Sequence, residues 1–386
     1  MATPPAADTP ASIDDPTNAA LLRVAEDRLV GFSPDPLDDL AQRTELPRDL
    51  VVDRLLAMLE AGTVRRVRQT LITTSLARGA LVAWRVPVDR LNDAFDTMFQ
   101  DDPFTGHVVT RSTDRDSPGS DYRLWTTLKL PTAYRLDAHC DHLARLTGAT
   151  DYLPLPAKKL YALGVGHLRR RDIAPGDRTD EPARVLDTNV IELTDDQWQV
   201  VEDIKREVTP DELDAARDPA RSLWHQRAEQ AGISLDAFLD AGRTLDRLGV
   251  VGRFSAFLEH VKKHADGKPV TRYNALFHWR VPQGREHDAG LEVGRHACMT
   301  HAYWREGGAA FNHVNLMGVC HGLDKGLVLA HKQAIDDHLA ELGIAPDYTN
   351  VFWGGRSEIK PSEFLPSAYA TWCQTQGLNP QAMRTD

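Results

Sequence analysis

The chain of 386 residues is long for one domain and predicts two or three. Its 42% hydrophobic and 26% charged residues suit a soluble globular protein whose cores need no metal or disulfide staple. The net charge of -11 argues against a protein built mainly to hold nucleic acid, and no run of 18 apolar residues exists to span a membrane.

Residues 1–18 are rich in Ala, Pro, Thr and Asp, with no basic start and no apolar stretch. They read as a disordered leader rather than a signal peptide. Residues 19–70 read as a winged helix-turn-helix. A helix over 36–44 breaks at Glu45-Leu46-Pro47, a second runs from Arg48 to Ala61, and Gly62 stops it. Residues 71–165 alternate as strands near 71–86, 105–112, 122–130 and 151–162, with helices near 88–100 and 132–147. That is the order of a ferredoxin-like βαββαβ domain.

Residues 166–188 are charged and Pro-containing and read as a linker, with Arg169, Arg170 and Arg171 solvated. The pattern then returns. Residues 189–255 carry helices over 223–232 and 234–248, with Ser234 as N-cap and Gly249 as stop. Residues 256–372 carry strands near 271–281, 297–305, 313–321 and 346–353, with helices near 284–294 and 324–342. Residues 373–386 form a tail. Cys140, Cys298, Cys320 and Cys373 make no CxxC pair and read as reduced, buried thiols, which suits the cytoplasm.

Direct comparison of the two halves supports a duplication. Trp84-Arg85-Val86-Pro87 recurs intact as Trp279-Arg280-Val281-Pro282. Gly62–Val67 faces Gly249–Phe254, and His107 and Arg111 face His301 and Arg305. The expected fold class is therefore α+β. It has two repeats, each a winged helix-turn-helix followed by a ferredoxin-like domain, which together make an internal pseudodimer.

A reading helix needs basic or amide side chains toward DNA. Here Asp236, Asp240 and Asp246 oppose Arg243 and Arg247, and Asp49, Asp53 and Glu60 oppose Arg48 and Arg54. Neither face is basic, so no nucleic-acid partner is expected.

The chemistry concentrates in the second half. On a strand, His301, Tyr303 and Arg305 share one face. They set an imidazole that titrates near neutral pH beside a phenol and a carboxylate-binding guanidinium. Asn315, Leu316, His321 and Gly322 follow on the next strand. The first half keeps His107 and Arg111 but has Val109 where Tyr303 stands. Plainer readings exist: a solvated face for the row, strand-end charges for Arg85 and Arg280, and core packing for Trp84 and Trp279. The stretch Thr113–Ser120 reads as a loop that covers a site.

At these residues the chain resembles the siroheme decarboxylases, Lrp/AsnC-like enzymes of haem and haem d1 synthesis. The resemblance rests on the wing runs, Trp-x-Val-Pro in both halves, Thr300–Arg305, and Asn315-Leu316 with His321-Gly322. It rests also on Leu155–Tyr161 and Arg356–Lys360. Both subunits are then fused in one chain. The resemblance implies non-oxidative loss of carbon dioxide from two acetate side chains of siroheme, giving 12,18-didecarboxysiroheme. It implies no cofactor beyond the iron of that tetrapyrrole.

His301, His107 and Tyr303 become the catalytic candidates, with His301 also a candidate axial ligand to the substrate iron. Arg305, Arg111, Arg280 and Arg85 become carboxylate binders. Lys158, Lys159, Arg356 and Lys360 become a further clamp, and His321 a substrate contact. Further pairing into a homodimer stays open. The rival reading is an Lrp/AsnC-like regulator that senses a tetrapyrrole and turns nothing over.

Overall fold

Short polar caps and left-handed turns shape the helical part of each half. In the computed structural model, which describes residues 9–163, 173–188, 190–259 and 271–385, Asp35 accepts from the amides of Leu37 and Asp38. It thereby starts the helix Pro36–Thr44, and Glu45 at φ 57° ends it. Arg48–Glu60 follows, and Gly62 at φ 72° turns the chain into the strand Val64–Leu71. In the second half Ser222 caps Leu223–Ala231 and Ser234 caps Leu235–Arg247. Gly249, also at φ 72°, leads into the strand Val251–Leu258.

These two strands pair antiparallel, with Val67 opposite Ala256. Helical segments from both halves thus form one compact unit, from residues 9–72, 191–259 and 271–272. Its core includes Leu37, Val51, Leu55, Leu245 and Trp224, whose ring stacks on Phe32 and Phe238. The arginines of Arg48–Glu60 are engaged within this unit. Arg48 donates to the carbonyl of Ala216 at 2.8 Å and pairs with Asp35 at 3.0 Å, and Arg54 pairs with Asp15 at 3.2 Å.

Three helices here were not anticipated: Pro16–Ala25, Asp195–Lys205 and Pro210–Ala215. The last two begin with complete capping boxes, Thr194 with Gln197 and Thr209 with Glu212. The leader also departs from its disordered reading from Thr9 onward. Ile13 is buried, and the Asn18 amide donates to the carbonyls of Pro10 and Ser12.

The second unit is built on a ten-stranded antiparallel sheet. Its order is Asp151–Pro156, Arg78–Arg85, Leu124–Leu130, Thr105–Ser112, Tyr348–Ile359, Tyr273–Arg280, Leu316–Gly322, Met299–Trp304, Lys159–Leu163, Leu186–Asp187. Within each half the four main strands lie in the order fourth, first, third, second.

Three strand boundaries differ from expectation. The strand expected over 71–86 begins only at Arg78 in this sheet, and Leu71 is instead the last residue of Val64–Leu71 in the helical unit. Tyr348–Ile359 runs past 353 and pairs with Thr105–Ser112 of the first half. The strand expected over 151–162 breaks at Ala157-Lys158, and its two pieces pair with different partners, Arg78–Arg85 and Met299–Trp304. Those pieces stand eight places apart in the order, about 38 Å in a flat sheet. Three peptide steps from Pro156 to Lys159 reach only about 11 Å, so the sheet must curl.

Helices Leu91–Gln100, Leu136–Thr147, Glu286–Arg295 and Lys325–Glu341 supply the cover for one face. Trp84, Val108 and Phe95 are buried there in the first half, and Trp279, Phe277 and Ile335 in the second, so both tryptophans are core. The inner face of the curl draws on both halves: Ala83, Val109, Trp125 and Leu155 with Leu276, Phe311, Met317 and Phe352. The expected tail is packed rather than loose. Helix Pro366–Thr375 and Met383 close over Phe104 and Tyr134. All four cysteines are buried and reduced. Among the described residues no helix is long and apolar enough to cross a membrane. Arg169, Arg170 and Arg171 lie outside the described residues.

Candidate active site

Strand alternation decides which side chains can meet. On Met299–Trp304, Met299 and Ala302 are buried in the helix-covered core, while His301 and Tyr303 take the other face. The His301 ring stacks on Tyr303, with centroids 5.9 Å apart and planes 17° from parallel. The Arg305 guanidinium sits 4.4 Å from the centre of the Tyr303 ring. The expected row of imidazole, phenol and guanidinium is thus one contiguous stack.

Thr300 ties His321 to it. The Thr300 hydroxyl donates to the carbonyl of Val319 at 3.0 Å. Its oxygen lies 3.2 Å from Nδ1 of His301 and 3.4 Å from Nδ1 of His321.

Burial dominates the electrostatics. Arg305 donates to the carbonyl of Leu155, and burial pulls its guanidinium down to about 10. Burial also raises the Tyr303 phenol, against the Arg305 charge. In the first half, Arg111 donates to the carbonyl of Phe352 at 3.1 Å and to Oδ1 of Asn274 at 3.4 Å. Burial alone pulls it down to about 9. Among the described residues neither arginine has a carboxylate partner, and Nε of each is buried without an acceptor. Leaving an unpaired charge this deep is costly. Asn274 faces His321 across the paired strands, which links Arg111 to the second-half cluster.

The other candidates are held apart from this row. His107 meets the hydroxyl of Ser357 through Nε2 at 2.8 Å. Arg280 bonds Asp347 at 2.5 Å and Asn312 Oδ1 at 2.9 Å. Arg85 lies over the Tyr122 ring, 3.6 Å from Asp151 and 3.9 Å from Asp121. With Arg115, Arg123 and Thr113 it lines a cleft of about 610 Å³, which the stretch Thr113–Ser120 borders.

The expected clamp of Lys158, Lys159, Arg356 and Lys360 is not assembled. Lys158 pairs with Glu306 at 2.8 Å and Lys159 with Asp187 at 3.8 Å. Arg356 pairs with Asp96 at 2.5 Å, and Lys360 donates to the carbonyl of Phe99.

Thr300 and Ser357 enter the sequence reading only as parts of motifs, with no role of their own, and Asn274 and His278 escape it. His278 is buried with Nε2 unpartnered. Burial, with the Arg111 charge behind it, pushes its ring down to about 3. Alternation could have found it, because Trp279 in the core turns His278 to the inner face.

Comparison with known proteins adds a family and a fold. Residues 76–162 match the model of the AsnC-like ligand binding domain. The alpha subunit of siroheme decarboxylase from Desulfovibrio desulfuricans is 31% identical over 135 residues, which are 35% of this chain and 73% of that subunit. The NirDL subunit of siroheme decarboxylase from Paracoccus pantotrophus is 26% identical over 272 residues, 70% of this chain and 74% of that one. The crystal structure of siroheme decarboxylase NirDL superposes with a TM-score of 0.63 at 17% identity, over 93% of this chain and 98% of that one. NirDL in complex with an iron-uroporphyrin III analogue gives a TM-score of 0.62 at 17% identity, over 93% and 99%. These two structures share the α+β fold with its large curled antiparallel sheet.

Proposed function

The chain belongs to the siroheme decarboxylase family, and we infer from this and from its inner-face cluster that it is a carboxy-lyase acting on siroheme. The observation that carries the reading is a set of two buried, carboxylate-free guanidiniums, Arg305 and Arg111, of which Arg305 lies over Tyr303 in its stack with His301. A substrate rich in carboxylates supplies the missing anions. A guanidinium that grips one carboxylate also orients its neighbour for reaction.

The reaction is loss of carbon dioxide from two acetate side chains, giving 12,18-didecarboxysiroheme for haem or haem d1 synthesis. As the acetate carbon–carbon bond breaks, carbon dioxide leaves and the electron pair stays on the side-chain carbon. A proton must then reach that carbon, and a positioned imidazole delivers it. His301 is the first choice for that proton, His107 the second, and Tyr303 braces His301. His301 is also the candidate axial ligand to the substrate iron. A visible spectrum separates the two roles: His301→Ala abolishes the siroheme-induced shift if it ligates, and abolishes turnover alone if it is the acid.

Arg280, Arg85, Lys158, Lys159, Arg356, Lys360 and His321 complete the proposed substrate contacts. Exposed ion pairs contribute about 1 kcal/mol or less. The carboxylates now on Lys158, Lys159 and Arg356 are therefore readily exchanged for those of a substrate.

The chain reads as two fused subunits forming an internal pseudodimer. The strand order repeated in each half and the crossed pairings support that. The engaged Arg48 and Arg54 favour an enzyme over a DNA-reading regulator. The reaction draws on no cofactor beyond the substrate iron, and the buried thiols suit the cytoplasm.

Anaerobic incubation with siroheme, followed by mass analysis of the tetrapyrrole, tests the function. The expected product has lost two carbon dioxide units. Protein that binds siroheme and leaves its mass unchanged would sink the enzymatic reading.

A further inference from the structure

Among the described residues the Thr300 hydroxyl has one proton and three polar neighbours. The carbonyl of Val319 can only accept and is the nearest of the three, at 3.0 Å, so the proton is directed there. Nδ1 of His301 and Nδ1 of His321 then face an oxygen that has only lone pairs to offer. Each of those nitrogens must carry a hydrogen.

We propose that Thr300 is a positioning residue that holds His301 and His321 as Nδ1–H tautomers. It thereby puts the lone pair of each neutral ring on Nε2. The hydrogen bond made by one ring nitrogen sets the state of the other. In water a neutral imidazole prefers its hydrogen on Nε2, so the protein imposes the less common form.

The backbone explains how one threonine reaches two histidines. The register of Met299–Trp304 against Leu316–Gly322 shifts between Met299 and His301. Thr300 is the residue left over, and an irregularity of this kind re-aims a side chain out of simple alternation. Thr300 is also 1% exposed, so water cannot compete for its oxygen.

The consequence for turnover rests on the decarboxylase reading. Nε2 is then the working atom of His301, whichever role the ring plays. As an iron ligand it binds through that lone pair. As an acid it takes up a second proton at Nε2 and passes it to the carbon left when carbon dioxide departs. The electrons of the broken N–H bond stay on Nε2, which restores the Nδ1–H tautomer.

The test starts with the unliganded full chain carrying 15N-histidine. Two-bond 15N–1H correlation spectra at about pH 8 report which ring nitrogen bears hydrogen, and His301→Ala and His321→Ala assign the signals. The wild type should show Nδ1–H at both rings. Thr300→Ser should keep that pattern, and Thr300→Val should lose it. An Nε2–H pattern at His301 in the wild type overturns the proposal, and needs no variant to fold. In turnover, Thr300→Val should lower kcat at least about tenfold with little change in KM. Thr300→Ser should recover most of that loss. Changed tautomers with unchanged kcat would overturn the positioning role. Wild type with the predicted tautomers but no conversion of siroheme would overturn the decarboxylase reading alone.

Discussion

The strands Thr105–Ser112 and Met299–Trp304 hold the same place in their halves of the sheet, each second in sequence and last in pairing order. Both carry a histidine and, four residues on, a buried arginine that reaches a carbonyl of the other half. Between them the chemistry parts. The second half has Tyr303 under its histidine, where the first has Val109 sealed into the inner core. The histidines are also tied by opposite nitrogens: His107 through Nε2 to Ser357, His301 through Nδ1 to Thr300. Shared scaffolding keeps the arginines, while the neighbours of each histidine decide what its ring can do.

The comparison breaks most visibly at the histidines. His301→Ala is expected to lower siroheme turnover about 100- to 10,000-fold, as loss of a general acid does, with His107→Ala costing less. Mass analysis over time measures both, and equal losses would erase the distinction between the halves.

His278 stands where the first half has Ala83, so His278→Ala makes the halves alike. The folded ring resists protonation until about pH 3, while the unfolded chain takes up that proton near 6.5. Stability from this source is complete above pH 6.5 and falls as pH drops through 6.5 toward 3. Between 6.5 and 5 the fall is about 2 kcal/mol. Urea midpoints at pH 7 and 5 should differ less in His278→Ala than in the wild type. An unchanged pH dependence would show that the ring titrates normally.

Val109→Tyr attempts the reverse conversion. Val109 is 2% exposed, so the larger ring should cost about 1–3 kcal/mol in thermal or urea unfolding without raising turnover. The smallest expected stability effect is that of Arg111→Met. It removes a buried, uncompensated charge together with two hydrogen bonds, and unfolding should move by about 1 kcal/mol or less. Siroheme affinity in a spectral titration should fall about tenfold, or about 1.4 kcal/mol. A large stability loss with unchanged affinity would make Arg111 a structural residue.

The fold was legible wherever local chemistry fixed it. Gly62 and Gly249 adopt the left-handed turn their positions suggested, and Ser234 caps its helix. The capping boxes at Thr194 and Thr209 were equally legible and went unread. Strand ends were harder. Whether Tyr348–Ile359 stops at 353 or runs on depends on Thr105–Ser112, which lies far away in sequence.

The site divides in the same way. Alternation alone placed His301, Tyr303 and Arg305 on one face. Thr300 was hidden because a register shift overrides alternation. The present partners of Lys158, Lys159, Arg356 and Lys360 were not legible, because long side chains choose acceptors that only the folded chain brings near.

The crossed pairings also set an order of events during synthesis. Thr105–Ser112 finds its neighbour Tyr348–Ile359 about 240 residues later, and Val64–Leu71 waits about 190 residues for Val251–Leu258. At roughly 5–20 residues per second, the first of these waits lasts on the order of 12–50 s. For that time the nascent first half carries an unsatisfied strand edge, ready to pair with any other. A chain ended after Asp187 should therefore associate with itself, visible by light scattering. Fusing both halves in one polypeptide keeps the right partner tethered to the edge that waits for it.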